Sequence, residues 1–157
     1  MTLSEIQAQA IEPAFLLLPA RMESREATVM LLAIGLQESR FENRRQIGGP
    51  ARGFWQFERG GGVAGVLRHP ASRDAALKVC DARGVSPVPE QVYQRLEFDD
   101  VLAAAFARLL LFTDPAKLPK PGDADGAWQL YLRTWRPGKP HPHTWPELYA
   151  QALEATA

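Results

Sequence analysis

LLAIGLQESRFENRRQIGGPARGFWQFE, residues 31–58, joins two unlike kinds of chain. Its first part continues a helix that begins near Ser24, because Ala27, Leu31, Ile34 and Glu38 fall at i, i+4, i+7 and i+11, one face at 3.6 residues per turn. Glu38 therefore extends an apolar stripe. From Asn43 to Gly62 the periodicity gives way to glycine, proline and arginine, with Gly48, Gly49, Pro50 and Gly53 ahead of the aromatic cluster Phe54, Trp55 and Phe57. That composition predicts an ordered functional loop. A carboxyl on the buried side of a helix end is desolvated when ionised, so its pKa rises, and this is how a general acid is made. The competing reading of Glu38 is a structural glutamate paired with Arg40, Arg44, Arg45 or Arg52.

Working outward, helices dominate and almost nothing alternates like a strand. Ser4 with Gln7 three residues on predicts a capping box for a short helix carrying Ile6, Ala10 and Ile11, restarted by Pro13 for Phe15 to Leu18 and closed by Pro19. Further helices are expected over 63–68, from a Ser72 cap to 82, and over 89–96, with Gly84, Pro87 and Pro89 as breaks. Asp99 or Asp100 starts the next, and Val101, Leu102, Ala105, Phe106, Leu109 and Leu110 are so densely apolar that this helix is the expected buried centre. After a loop over 117–126, Trp128, Leu130, Tyr131 and Trp135 share a helix ended by Pro137 and Gly138, and a last helix runs over about 145–153.

The chain has 157 residues, 46% hydrophobic and 23% charged, which fits one ordinary domain, residues 1–157, with a core that needs no disulfide or metal staple. Eighteen Lys+Arg balance eighteen Asp+Glu, which argues against a global attraction to nucleic acid or anionic membrane. The longest early apolar run, 14–18, is too short to span a bilayer, and no Sec-type signal is visible. With a single cysteine, synthesis in a reducing cytoplasm is expected, with any export left to a partner. Other motifs carry little chemistry. His141-Pro142-His143 has two imidazoles but no nearby Cys, so no metal site is expected. Gly60-Gly61-Gly62 lacks the Lys and Ser/Thr of a phosphate loop, and Cys80 reads as a buried, inert thiol.

The stretch 31–58 resembles the lysozyme-like domain of soluble lytic transglycosylases and goose-type lysozymes. In that family a helix delivers the catalytic glutamate in an E-S-x-F pattern, here Glu38, Ser39, Arg40 and Phe41, and a glycine-containing loop leads to a G-L-M-Q-like motif, here Gly53, Phe54, Trp55 and Gln56. Asp100-Val101-Leu102-Ala103-Ala104 is similar to the family's N-I-x-x-G helix start, with Asp for Asn and Ala for Gly. Where the family carries A-Y-N-x-G, Trp128-Gln129-Leu130-Tyr131-Leu132-Arg133 keeps the tyrosine without the asparagine and glycine. The resemblance is specific over about 31–57 and weaker through 110, and the compact size points to a phage-type member.

The resemblance implies a single all-α lysozyme-like domain with a catalytic cleft, cleaving the β-1,4 bond between N-acetylmuramic acid and N-acetylglucosamine in peptidoglycan. Glu38 would be the acid, with no metal or cofactor. Phe54, Trp55 and Tyr131 are expected to stack on sugar rings, and Gln56 and Ser39 to hydrogen-bond acetamido groups or orient the acid. Core packing is the rival role for Phe54, and a bond to its own backbone the rival for Ser39. A second carboxylate is scarce, since Glu42 lies one helical turn from Glu38 and Glu58 is the only acid between Asn43 and Arg73. That poverty favours the transglycosylase route, in which one glutamate is acid and then base and the product carries a 1,6-anhydro-muramyl end. Two rivals stand beside it: an inverting muramidase using Glu58, Asp99 or Asp100, and a non-catalytic glycan-binding or virion-structural module. The expected partner is the peptidoglycan strand, whose anionic groups suit the arginine cluster. The expected setting is the cell wall, reached as an endolysin, a virion-associated lysin or a bacterial remodelling enzyme, with oligomeric state open.

Overall fold

The computed structural model describes residues 1–157 and is all-helical, as its sequence predicts, with isolated bridges Arg45–Arg52 and Arg52–Phe57 as its only extended pairing. In chain order the helices are α1 (Leu3–Ile6), α2 (Glu12–Leu16), α3 (Arg25–Ser39), α4 (Ala64–Arg68), α5 (Arg73–Ala82), α6 (Pro89–Arg95), α7 (Asp100–Phe112), α8 (Ala124–Trp135) and α9 (Trp145–Ala155). No helix is long and apolar enough to cross a membrane.

The dense apolar run of α7 has the consequence expected of it. Residues Leu102 to Leu109 are all buried, and α7 touches α2, α3, α4, α5 and α8. Asp99 caps it, its Oδ1 accepting from Leu102 N–H at 3.0 Å, while both carboxylate oxygens accept from the Arg83 guanidinium at 2.9 and 3.1 Å. Against α7 and α9 lies α3, started by Ser24, whose Oγ accepts from Ala27 N–H. One cluster of 42 buried residues joins these helices.

Four local expectations are corrected. The first capping box is Thr2 with Glu5, not Ser4 with Gln7. The chain also does not break at Pro13. A π-helical turn, Gln7–Ile11, joins α1 to α2, and Glu12 N–H bonds Gln7 O five residues back, widening the ladder just where the proline lacks a donor and its ring would crowd the preceding turn. Ser72 does not cap α5, because its buried Oγ donates to Val66 O at 2.7 Å and so ties α4 to α5 instead. At the other end of the chain, Asp123 accepts from Gly126 N–H, so α8 begins at Ala124, inside the stretch expected to be loop.

Candidate active site

The end of α3 is built around Gly35. A Cβ there would stand 2.0 Å from Phe41 Cζ, so only glycine leaves room for the tip of the Phe41 ring against the helix. The chain reaches that position through two successive left-handed residues, Arg40 at φ 56° and Phe41 at φ 54°, which turn it back under α3. Phe41 then packs edge-on to Phe54 and Trp55, both at 5.5 Å between ring centroids. The loop 43–58 is ordered by its own backbone, with Gln46 N–H to Ala51 O, Gly53 N–H to Arg44 O, and a reciprocal pair between Arg52 and Phe57. Gly53 sits at φ +76°, and a Cβ on it would meet Leu96 O at 3.0 Å.

Glu38 emerges half-buried at this junction. Its Oε2 accepts a short hydrogen bond from the Tyr131 hydroxyl on α8, ninety-three residues away in sequence. None of the four arginines weighed as structural partners reaches it. Arg40 donates to Leu36 O and Gln37 O, Arg44 clamps Asp100 with two 2.9 Å bonds, and Arg45 and Arg52 both reach Glu97. Loss of hydration without a compensating cation pushes the Glu38 carboxyl above its ordinary value, and the Tyr131 hydroxyl, which favours the ionised form, offsets part of that rise. Burial and the neighbouring Glu38 charge hold Tyr131 strongly on its protonated side, so it acts as a fixed donor.

A cleft of about 140 Å³ opens beside Glu38, lined by Ser39, Asn43, Arg45, Gln46, Ile47 and Gln56. Glu38 is its only carboxyl group. A larger cavity, about 730 Å³ with Met22, Pro70 and Phe112 among its walls, lies near the start of α3 instead. At 1.5 Å rise per residue that is about 20 Å from Glu38.

Gln56 is brought to Glu38, and it is held at φ 54° with its side-chain amide donating to Gly53 O. Left-handed backbone at a non-glycine residue costs about 1 kcal/mol and persists only where its surroundings impose it. Ser39 also lines the cleft, but its hydroxyl donates to Phe54 O at 2.7 Å and, at a longer 3.3 Å, to Gly35 O one turn back in its own helix, while its oxygen accepts from Phe41 N–H at 3.1 Å. It therefore fastens α3 to the loop, a variant of the backbone-bonding role.

The stacking roles expected of Phe54, Trp55 and Tyr131 do not match the geometry. Phe54 and Trp55 are each 1% exposed. The Arg44 guanidinium covers a Phe54 face at 4.3 Å, and the Trp55 indole donates to Leu31 O inside α3 at 2.8 Å. Both rings are core, and they set the position of the loop. Tyr131 is 2% exposed, its ring stacked on Trp145 at 5.5 Å and flanked by Trp128 and Trp135, so it offers Glu38 a hydroxyl and no sugar a face. The half-buried aromatics flanking Tyr131 are Trp128 and Trp135, which sequence reasoning placed on the helix without assigning a role. Their spacing about Tyr131, i, i+3 and i+7, was the available signal. Trp135 also ties α8 to the loop, donating to Trp55 O at 2.9 Å and meeting Phe57 edge-on.

The carboxylates weighed as a second acid stand apart. Asp99 and Asp100 are locked to Arg83 and Arg44, and neither these nor Glu58 lines the cleft. Compared with known protein families, with curated proteins and with solved structures, the chain finds no match in any of the three.

Proposed function

We propose that this chain is a peptidoglycan-degrading lytic enzyme that cleaves the β-1,4 bond between N-acetylmuramic acid and N-acetylglucosamine, with Glu38 as its single acid and base. The observation that carries the reading is a desolvated, cation-free glutamate, hydrogen-bonded by Tyr131, in a cleft with no other carboxyl group. Tyr131 occupies Oε2, so the transferable proton resides on Oε1. Protonated Glu38 gives that proton to the glycosidic oxygen as the C1–O bond breaks through an oxocarbenium-like transition state. The resulting carboxylate takes the proton of the muramyl 6-hydroxyl, whose oxygen bonds to C1 and closes a 1,6-anhydro ring. Glu38 ends protonated again and no water is consumed.

This route is favoured over an inverting muramidase because the latter requires a second carboxylate roughly 6.5–9.5 Å from the acid to activate water, and the acids weighed for it are bound to arginines or lie outside the cleft. Trp128 and Trp135 replace Phe54 and Trp55 as the aromatic surfaces open to sugar. Arg45, 66% exposed at the cleft wall, suits the muramyl and peptide carboxylates of the strand. We propose the cell wall as the site of action.

Mass spectrometry of muropeptides released from purified peptidoglycan tests the reading. Anhydro-muramyl ends are expected. Reducing ends would overturn the single-glutamate route, and glycan binding without any released product would favour the non-catalytic module.

A further inference from the structure

Arg108 lies in the buried middle of α7 at 5% exposure, yet of its five N–H donors only Nε finds a protein partner, Met22 O at 2.9 Å. Nη1 is fully enclosed with no hydrogen bond, and no carboxylate pairs with the guanidinium. Phe112 lies 5.8 Å from it, on a ring that Arg21 also approaches at 5.3 Å, so the aromatic face is shared between two cations. A buried charge left uncompensated is costly. Burial lowers its pKa only to about 10, so it stays charged at neutral pH.

The same guanidinium lines a cavity of about 430 Å³ with Leu111, Phe112, Asp114, Lys117 and Leu118. Asp114 is not its counter-ion: its oxygens accept from Arg133 at 2.9 and 3.5 Å and from Ala116 N–H at 3.1 Å. The cavity therefore holds two cations without carboxylate partners, Arg108 and the exposed Lys117, beside an apolar wall. Because Met22 sits just ahead of α3, this site is about 20 Å from Glu38 and independent of the proposed reaction.

We propose that the cavity is a second binding site, for an organic monocarboxylate whose head reaches Arg108 Nη2, the guanidinium nitrogen that is neither hydrogen-bonded nor enclosed, within reach of Lys117, and whose apolar body lies against Leu111, Phe112 and Leu118. Two cations without carboxylate partners match one negative charge, the apolar wall requires a body, and Asp114 among the lining residues disfavours a dianion.

The test is titration at pH 7 and constant ionic strength, by calorimetry and NMR, with hexanoate, hexanamide, acetate and inorganic phosphate as probes. Hexanoate is expected to bind saturably at one site, hexanamide not at all, and acetate and phosphate at least about fivefold more weakly, since they lack the apolar body. Arg108→Met should weaken hexanoate at least about tenfold while melting no lower than wild type, because an unpaired buried charge is replaced by an apolar chain of similar length. Lys117→Ala, at an exposed position that leaves the core untouched, should weaken it about threefold and supplies the answer if Arg108→Met fails to fold. Absence of saturable hexanoate binding, equal binding of hexanamide, an identical response to all three anions, or unchanged affinity in the variants would overturn the proposal.

Discussion

Gly35→Ala puts the junction that carries Glu38 under direct test. On an exposed helix this change is favourable by about 1 kcal/mol, since alanine has the better helix propensity. Here the new Cβ would lie 2.0, 2.3 and 3.0 Å from three carbons of the Phe41 ring. To regain the carbon–carbon optimum near 3.5 Å the ring must withdraw by about 1.5 Å. It has nowhere to go, being 1% exposed, wedged edge-on to Phe54 and Trp55, and attached to a left-handed backbone. Overpacking of this kind costs about 3 kcal/mol, so the net loss is about 2 kcal/mol after the propensity gain. For a domain of this length that lowers Tm by about 4–8 °C. The assay is urea and thermal unfolding of four proteins: wild type, Gly35→Ala, Phe41→Leu and the double variant. Leucine lacks the three ring carbons that clash, so the double variant should lose less than the two singles combined, by about 1–2 kcal/mol. Strict additivity, or a Gly35→Ala protein as stable as wild type, would refute the packing argument.

Tyr131→Phe should keep the fold and raise the Glu38 pKa further, because the lost hydroxyl favoured the carboxylate; side-chain carboxyl NMR reads this directly. Since the folded Glu38 pKa lies above its ordinary 4.5, the folded state holds the proton more tightly, and stability falls as pH rises from that value through the raised one. Tyr131→Phe should deepen that fall, costing about 1–3 kcal/mol above the folded pKa and less below it, in unfolding curves run across pH. Asp99→Ala removes both the α7 cap and the Arg83 pair and should cost about 3 kcal/mol in urea unfolding; a loss under about 0.5 kcal/mol would show that neither contact matters. Cys80, buried with its thiol pushed up to about 11, should resist a disulfide reagent at pH 8 until the protein unfolds, and rapid labelling of the native state would contradict its enclosure.

The helices were legible wherever a single physical signal was strong. The Ser24 cap and the stripe to Glu38 specify α3, and the apolar density of 101–110 specifies α7, because a helix with no polar face has to be surrounded. The π turn before Pro13 was not legible, since the same residues serve a broken helix equally well and only packing against α7 selects the continuous form. Ser72 shows the same limit, with Val66 O competing for the hydroxyl that a helix start would use.

At the site, Glu38 and Gln56 were legible as a half-buried acid and its loop neighbour. The facing of Phe54 and Trp55 was not, because a loop has no period from which to read inside and outside, and here two left-handed residues and a glycine contact decide it. The Tyr131 contact joins positions ninety-three residues apart, which no local pattern encodes. The unsatisfied Arg108 was equally invisible, since an arginine within an apolar helix reveals its lack of a partner only once the neighbours are in place.

The central claim is that Glu38 performs the chemistry. Release of soluble fragments from purified peptidoglycan by wild type and by Glu38→Gln, with circular dichroism and melting recorded on the same samples, tests it most directly. The amide is nearly isosteric and still accepts from Tyr131, so the fold should persist while turnover falls at least about a hundredfold. Turnover near the wild-type rate in a folded Glu38→Gln protein, or no release by the wild type at all, would contradict it.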